Sequence, residues 1–119
     1  MLEEIMVQYE SFSDASILEV AYKAINGNYN AEVVIHCMNS NNDYRFETNR
    51  VFFIDVVSIR FLEQENQSST VINTALLKLD SDLITFDFFP LLYGESRVEE
   101  NANSDFKIKC RRVKYVKIS

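Results

Sequence analysis

The 119-residue sequence predicts a mainly β protein, a single antiparallel sheet of about seven or eight strands folded as a β-sandwich or half-open barrel. Three observations lead to this prediction. Several runs alternate apolar and polar residues, which is typical of half-buried strands. Turn-forming residues separate these runs, and the composition combines 13% aromatic residues with only two glycines. The length fits one domain spanning residues 1–119.

The first half of the chain contains the clearest hairpin signal. Residues 1–12 fit a helix turn or a strand, and we expect a short edge strand or an irregular lead-in there. Residues 16–24 and 29–38 alternate on either side of Asn26-Gly27, a pair typical of type I′ turns, whose two central positions need positive φ. Residues 39–43 form a loop of turn-forming residues.

The stretch 44–62 carries the almost continuously apolar run 51–61, which is interrupted by Asp55 and Arg60. It predicts either one strand covered on both sides or two short strands with a bend near Asp55. The polar residues 63–70 predict a surface connection.

Residues 73–90 predict a second hairpin around the turn Asp80-Ser81-Asp82, and we expect it at the centre of the sheet. Its apolar face is formed by Ala75, Leu77 and Leu79 on the first arm and by Ile84, Phe86 and Phe88 on the second.

The last third of the chain ends in a basic strand. Residues 91–94 leave the sheet, and residues 95–105 predict a polar, acidic loop. Residues 106–118 alternate again, and the doubled Arg111-Arg112 shifts the alternation, which indicates a bulge. Lysines on the outer face of this strand are typical of a sheet edge.

The charge is unevenly distributed. All 18 acidic residues and six of the 12 basic residues lie in residues 1–106, so this part carries −12 against +6 in residues 107–119. An acidic body is a poor partner for nucleic acid, whose binding requires neutralised phosphates. It suits a basic protein partner. The closing basic strand could contact RNA or an acidic protein, but its interleaved core residues favour a structural role.

The sequence predicts a cytoplasmic protein that does not enter a membrane. The first residues lack a positive segment followed by an apolar one, and no stretch approaches the ~20 apolar residues of a membrane helix. Cys37 and Cys110 lie in strand-like runs and are expected to be reduced core thiols. Oligomeric state is left open, including a symmetric dimer through a sheet edge.

No residue pattern supports catalysis, a cofactor or a bound metal. His36 is the only histidine, and its neighbour Cys37 points to the opposite face of a strand. Asp80, Asp82 and Asp87 could bind a divalent ion or exchange protons, but Asp-Ser-Asp is also ordinary turn chemistry. The sequence therefore predicts that the protein is not an enzyme.

The candidate partner-binding residues are the acids of the 95–105 loop together with the hairpin turn. The alternative is an acidic loop that is only solvated. The candidates are Glu95, Glu99, Glu100, Asp105, Asp80 and Asp82.

The layout also carries a resemblance to a known group. Its elements are Phe12-Ser13-Asp14-Ala15 before an Asn-Gly hairpin, the apolar block 51–61, Phe86-Asp87-Phe88-Phe89, and a final strand beginning Phe106-Lys107-Ile108-Lys109-Cys110. Together they resemble small bacterial β-rich immunity proteins encoded beside contact-dependent or polymorphic toxins. Ser13 stands where such proteins often have histidine, so no role of that histidine is carried over. The resemblance implies a toxin-neutralising protein.

Two hypotheses follow. The first is an acidic inhibitor that covers the active site of a basic toxin effector domain such as a nuclease. The second is a carrier of a small apolar ligand, held in a half-open barrel lined by Phe52, Phe86, Phe88 and Tyr115.

Overall fold

The computed structural model describes residues 4, 8, 9, 12–62, 71, 72, 74–93 and 97–118. A short 3-10 turn spans Ser40–Asn42. The strands in these residues are β1 (Ala15–Ile25), β2 (Asn28–Asn39), β3 (Arg45–Phe61), β4 (Val71–Ile72), β5 (Leu76–Asp80), β6 (Leu83–Asp87), β7 (Leu91–Tyr93), β8 (Arg97–Glu99) and β9 (Phe106–Lys117).

The described strands form a seven-stranded sheet in the order β4-β1-β2-β3-β9-β6-β5 and a separate two-stranded sheet of β7 and β8. Every pairing is antiparallel. The predicted mainly β, antiparallel fold is therefore confirmed.

A bend in β3 and β9 divides the large sheet into two halves. β3 pairs with β2 only as far as Phe53, whereas β9 pairs with β3 on both sides of the bend, from Asn49 to Phe61. At the junction Asp55 has a φ of 56°, and the register between β3 and β9 shifts between Val56 and Ser58. Such bulges let a strand pass from one layer of a folded sheet to the other. β3 is one continuous strand with one buried face, so it is neither covered on both sides nor divided into two strands, but an irregularity does lie at the expected position near Asp55.

In β9 the alternation of buried and exposed residues shifts by one position at Arg111-Arg112. Phe106, Ile108 and Cys110 are buried, both arginines at 111 and 112 are exposed, and Val113 is buried again. The irregularity predicted at Arg111-Arg112 is therefore observed.

The β1–β2 hairpin matches its prediction closely. The backbone of Asn26 and Gly27 has φ values of 52° and 81°, as a type I′ turn requires. Ala31, Val33, Ile35 and Cys37 of β2 are fully buried, so one face of the hairpin lies on the core.

Stacked phenylalanine rings fill the core between the two halves. The Phe86 ring of β6 lies 4.2 Å from the Phe88 ring and 5.3 Å from that of Phe53 in β3, measured between ring centroids. Phe12, which precedes β1, lies 5.4 Å from Phe86, although β1 and β6 are far apart in the sheet order. The sheet therefore folds over itself, and both halves share one core.

Two expectations about strand order were wrong. The hairpin β5–β6 lies at one end of the sheet and not at its centre, and the basic strand β9 lies inside the sheet, between β3 and β6. An interior strand can carry outward lysines because acidic side chains of neighbouring segments pair with them, as described below. Strand order depends on such long-range contacts, which local alternation does not encode.

Two local expectations also need correction. Arg97–Glu99, expected within a loop, forms β8 and pairs with β7. At the start of the chain, the described residues Glu4 and Gln8 are α-helical, so a helix turn is found there and not the expected edge strand or irregular lead-in. Tyr9 lies in a turn, and the Phe12 amide donates to its carbonyl over 2.8 Å. The connection expected over residues 63–70 lies outside the described residues.

The ring stack should carry much of the stability. Phe86 is fully buried, so Phe86→Ala is expected to lower the free energy of unfolding by about 3–5 kcal/mol through lost burial and a residual cavity. Urea denaturation followed by circular dichroism measures this change. The matched control is Phe46→Ala on the outer face, where 49% of the residue is exposed, with an expected loss below about 1.5 kcal/mol. Equal losses would contradict the shared core.

Candidate protein-binding surface

A small apolar hairpin lies next to the acidic segment singled out by the sequence. In β7 and β8, Leu92 lies opposite Val98 and Tyr93 lies opposite Arg97. The large apolar side chains of this hairpin are 37–50% exposed, namely Leu91, Leu92, Tyr93 and Val98. We call these four residues the apolar hairpin. The sequence analysis missed it, although the consecutive residues 91–93 followed by Val98 are the signal that could have revealed it.

Asp87 anchors the segment that follows the apolar hairpin. It is fully buried on the outer face of β6. One carboxylate oxygen accepts from the Phe89 amide over 3.0 Å, and the other accepts from the Asn101 amide over 2.8 Å. The Asn101 side chain donates in turn to the Phe89 carbonyl over 3.0 Å. These hydrogen bonds fix both ends of the apolar hairpin to the sheet.

Glu100 is the centre of a second anchor. Its carboxylate lies 2.8 Å from the Lys107 ammonium, 2.9 Å from that of Lys78 and 3.2 Å from that of Lys109. We call these four residues the Glu100 cluster. Hydrogen bonds, first from Lys107 and then from Lys78, lower the pKa of Glu100 from 4.5 to about 2. The carboxylate therefore holds the segment across β5 and β9.

The structure separates the other predicted acids. Glu99 pairs with Arg97 on the apolar hairpin's own strand β8 and remains partly exposed. Asp105 is half-buried, and its carbonyl accepts from the Leu62 amide over 2.7 Å. Asp80 and Asp82 are exposed at the β5–β6 turn. Glu95 lies outside the described residues.

The Lys78 side chain connects the two predicted groups of acids. The hydrogen bond that the Lys78 ammonium donates to Glu100 is the largest cause that raises the pKa of Lys78, and the charge of Asp80 adds to it. Lys78 of β5 therefore contacts Glu100 close to the β5–β6 turn, and the Glu100 carboxylate itself is already paired with three lysines.

The basic residues of β9 are largely engaged by the protein's own side chains. In addition to the lysines of the Glu100 cluster, Lys117 lies 3.3 Å from Glu47, and Arg112 lies 3.6 Å from Asp55. The Lys114 ammonium lies 5.6 Å from the centroid of the Phe52 ring. These internal contacts explain how a basic strand fits inside the sheet of an acidic protein.

Glu47 is the most deeply buried of these partners. Burial opposes its ionisation, but hydrogen bonds from Asn39, Asn42 and Lys117 outweigh burial and lower its pKa. The Asn39 side chain donates over 2.8 Å. The buried Glu47 carboxylate therefore has hydrogen-bond partners that stabilise its charged form.

The histidine and the two cysteines lie among other residues of the large sheet. The His36 ring lies 5.0 Å from the Phe46 ring and hydrogen-bonds Thr48 over 3.1 Å. Cys37 and Cys110 are free and buried, and burial raises the pKa of each thiol to about 11. Among the described residues, no group of His, Cys, Asp or Glu is arranged to hold a metal ion.

The four residues expected to line a ligand cavity do not surround a common space. Phe86 and Phe88 stack on each other in the core. Phe52 lies on the outer face, in a groove of about 300 Å³ shared with Lys23, Glu32 and Lys114. The expected apolar lining is therefore divided between the two faces of the sheet.

No protein family, curated protein or solved structure was found to match this chain. Within the described ranges, no helix is long and apolar enough to cross a membrane.

The Glu100 cluster predicts a specific pH dependence of stability. Because the folded pKa of about 2 lies below the ordinary 4.5, the stabilisation is present above pH 4.5 and is lost as the pH falls towards 2. Glu100→Gln is expected to lower the free energy of unfolding at pH 7 by about 1–2 kcal/mol, a value reduced for partial solvent access. Urea denaturation at several pH values measures the difference.

The two proteins should converge in stability as the pH approaches 2, because the native carboxylate is then protonated. The matched control is Glu99→Gln, which removes an exposed carboxylate with one arginine partner, and its expected effect is below about 0.5 kcal/mol. A difference between wild type and Glu100→Gln that does not depend on pH would contradict this account.

Proposed function

We propose that the protein is a protein-binding inhibitor that neutralises a basic toxin effector domain, such as a nuclease, by covering its active site. The observation that carries the proposal is the apolar hairpin, an exposed group of large side chains whose flanking residues Phe89 and Asn101 are hydrogen-bonded to Asp87 of the sheet. Exposed apolar patches with a polar border commonly mark protein interfaces.

The anchoring of the apolar hairpin supports a binding role. Asp87, Asn101 and the Glu100 cluster fix its flanking residues, so little conformational entropy would be lost on binding. Leucine, tyrosine and valine side chains on such a fixed element supply buried area at the centre of an interface.

The charge distribution supports a basic partner. The six basic residues beyond position 106 give the last strand its charge, and Lys107, Lys109, Arg112 and Lys117 of this strand pair with acids of the same chain. Asp80 and Asp82 remain exposed, and the chain keeps a net charge of −6. Complementary charge accelerates association with a basic protein and disfavours other partners.

Binding to the product of the gene immediately upstream tests the proposal. Leu92→Ser is expected to weaken the complex about 30-fold or more, as loss of a central apolar contact does. Isothermal titration calorimetry measures the dissociation constant. The matched control is Leu79→Ser in β5, at a leucine that is 62% exposed outside the apolar hairpin.

Charge reversal at the exposed acids tests whether electrostatic attraction contributes to binding of the partner. The double variant Asp80→Lys and Asp82→Lys is expected to slow association and to reduce its salt dependence, with a smaller change in dissociation rate. No complex with the upstream product, or one unaffected by both Leu92→Ser and the charge reversal, would overturn the proposal.

A further inference from the structure

A groove of about 300 Å³ lies on the outer face of the large sheet, where β2, β3 and β9 run side by side. Glu32 of β2 lies opposite Phe52 of β3, and Phe52 lies opposite Lys114 of β9. The remaining lining residues are Lys23, Asn30, Ala31 and Ile54. We call this site the outer groove. Its volume is at the lower end of the range of small-molecule sites, so a ligand that fits it is small.

The apolar part of the outer groove comes from β3. Phe52 and Ile54 alternate with the fully buried Phe53, so their side chains lie on the outer face, where both remain half-buried. An aromatic ring and a branched aliphatic side chain that stay partly accessible offer contact area to an apolar group. The outer groove therefore suits a ligand with an apolar body.

The hydrogen-bond acceptors among the side chains of the outer groove are already engaged. One carboxylate oxygen of Glu32 pairs with the Lys23 ammonium, and the other lies 3.9 Å from the Arg50 guanidinium. The side-chain carbonyl of Asn30 accepts from the Asp55 amide over 3.2 Å. A ligand that mainly donates hydrogen bonds would therefore meet acceptors that already have partners.

The donors of the outer groove are in excess. Lys114 is exposed, and among the described residues its ammonium contacts the Phe52 ring but no carboxylate. The side-chain NH₂ group of Asn30 likewise has no partner in the described part of the chain, and the Lys23 ammonium has further N–H donors. Beside the groove, the Nε atom of Arg50 is buried without a partner in the same part. The lining thus carries two ammonium groups against one carboxylate, in a chain of net charge −6.

We propose that the outer groove binds a small organic anion, namely a carboxylate or a phosphate monoester with an apolar body. The anionic group pairs with the Lys114 ammonium, and the apolar body lies against Phe52 and Ile54. Asn30 and Lys23 offer further donors on the side of β1 and β2. Carboxylates and phosphates supply acceptor oxygens and negative charge together, and hydrogen bonds to such ions are roughly twice as strong as neutral ones.

The outer groove is separate from the apolar hairpin. The groove lies across β2, β3 and β9, whereas the apolar hairpin follows β6 on the other side of β9. Binding of a small anion therefore does not depend on the proposed inhibition of a toxin domain.

Titration of the isotope-labelled full chain, followed by NMR, tests the proposal. The probes are phenyl phosphate, phenylacetate, inorganic phosphate and the neutral phenylacetamide. Both organic anions should shift the amide signals of residues 30–32, 52–54 and 114, with dissociation constants on the order of 1 mM for ligands of this size. Inorganic phosphate and phenylacetamide should each bind at least roughly fivefold more weakly, because each lacks one of the two contacts. The tighter of the two organic anions identifies the preferred head group.

Lys114→Gln tests the charged contact. It removes the ammonium on the exposed outer face, and it should weaken phenyl phosphate binding roughly tenfold. The matched control is Arg111→Gln, which removes one positive charge from an exposed residue of the same strand outside the groove lining. It should change the dissociation constant by less than about twofold. Equal weakening by both substitutions would overturn the proposal.

Phe52→Thr tests the apolar contact. It should weaken phenyl phosphate binding and leave the weaker binding of inorganic phosphate unchanged, since only the organic anion contacts the ring. The matched control is Phe46→Thr, at a half-exposed phenylalanine of the same strand and face that does not line the groove. It should leave binding of both probes unchanged. The proposal is wrong if neither organic anion shifts the groove signals at roughly 10 mM, or if phenylacetamide binds as tightly as phenylacetate.

Discussion

The fold depends on the bend shared by β3 and β9. Without the left-handed backbone at Asp55 and the register shift that follows it, these long strands would run straight, and the two halves of the sheet would face solvent separately. The bend brings Phe86 against Phe53 and Phe12, so a single sheet buries its inner face on itself. A chain of this size can thereby form one core within a single folded sheet.

The charges in the described part fall into two groups. Acids such as Glu47 and Glu100 are paired with the basic residues of β9, and they allow that strand to lie inside the sheet. Asp80, Asp82 and Glu19 remain on exposed surfaces. The same residue type therefore stabilises the fold in one place and is available for recognition in another. Whether an acid is paired or exposed depends on which segments of the folded chain lie on the outer face of β5, β6 and β9.

Local residue patterns were enough to predict the β class, the Asn26-Gly27 hairpin, an irregularity near Asp55 and the phase change at Arg111-Arg112. Each is encoded locally, by alternation or by residues suited to one backbone conformation. The position of β9 inside the sheet, the position of β5–β6 at its end and the pairing of Glu100 with three lysines were seen first in the folded chain. The apolar hairpin was likewise recognised only from the three-dimensional structure. These features arise from contacts between residues distant along the chain, and alternation within one strand carries no information about which strand will lie beside it.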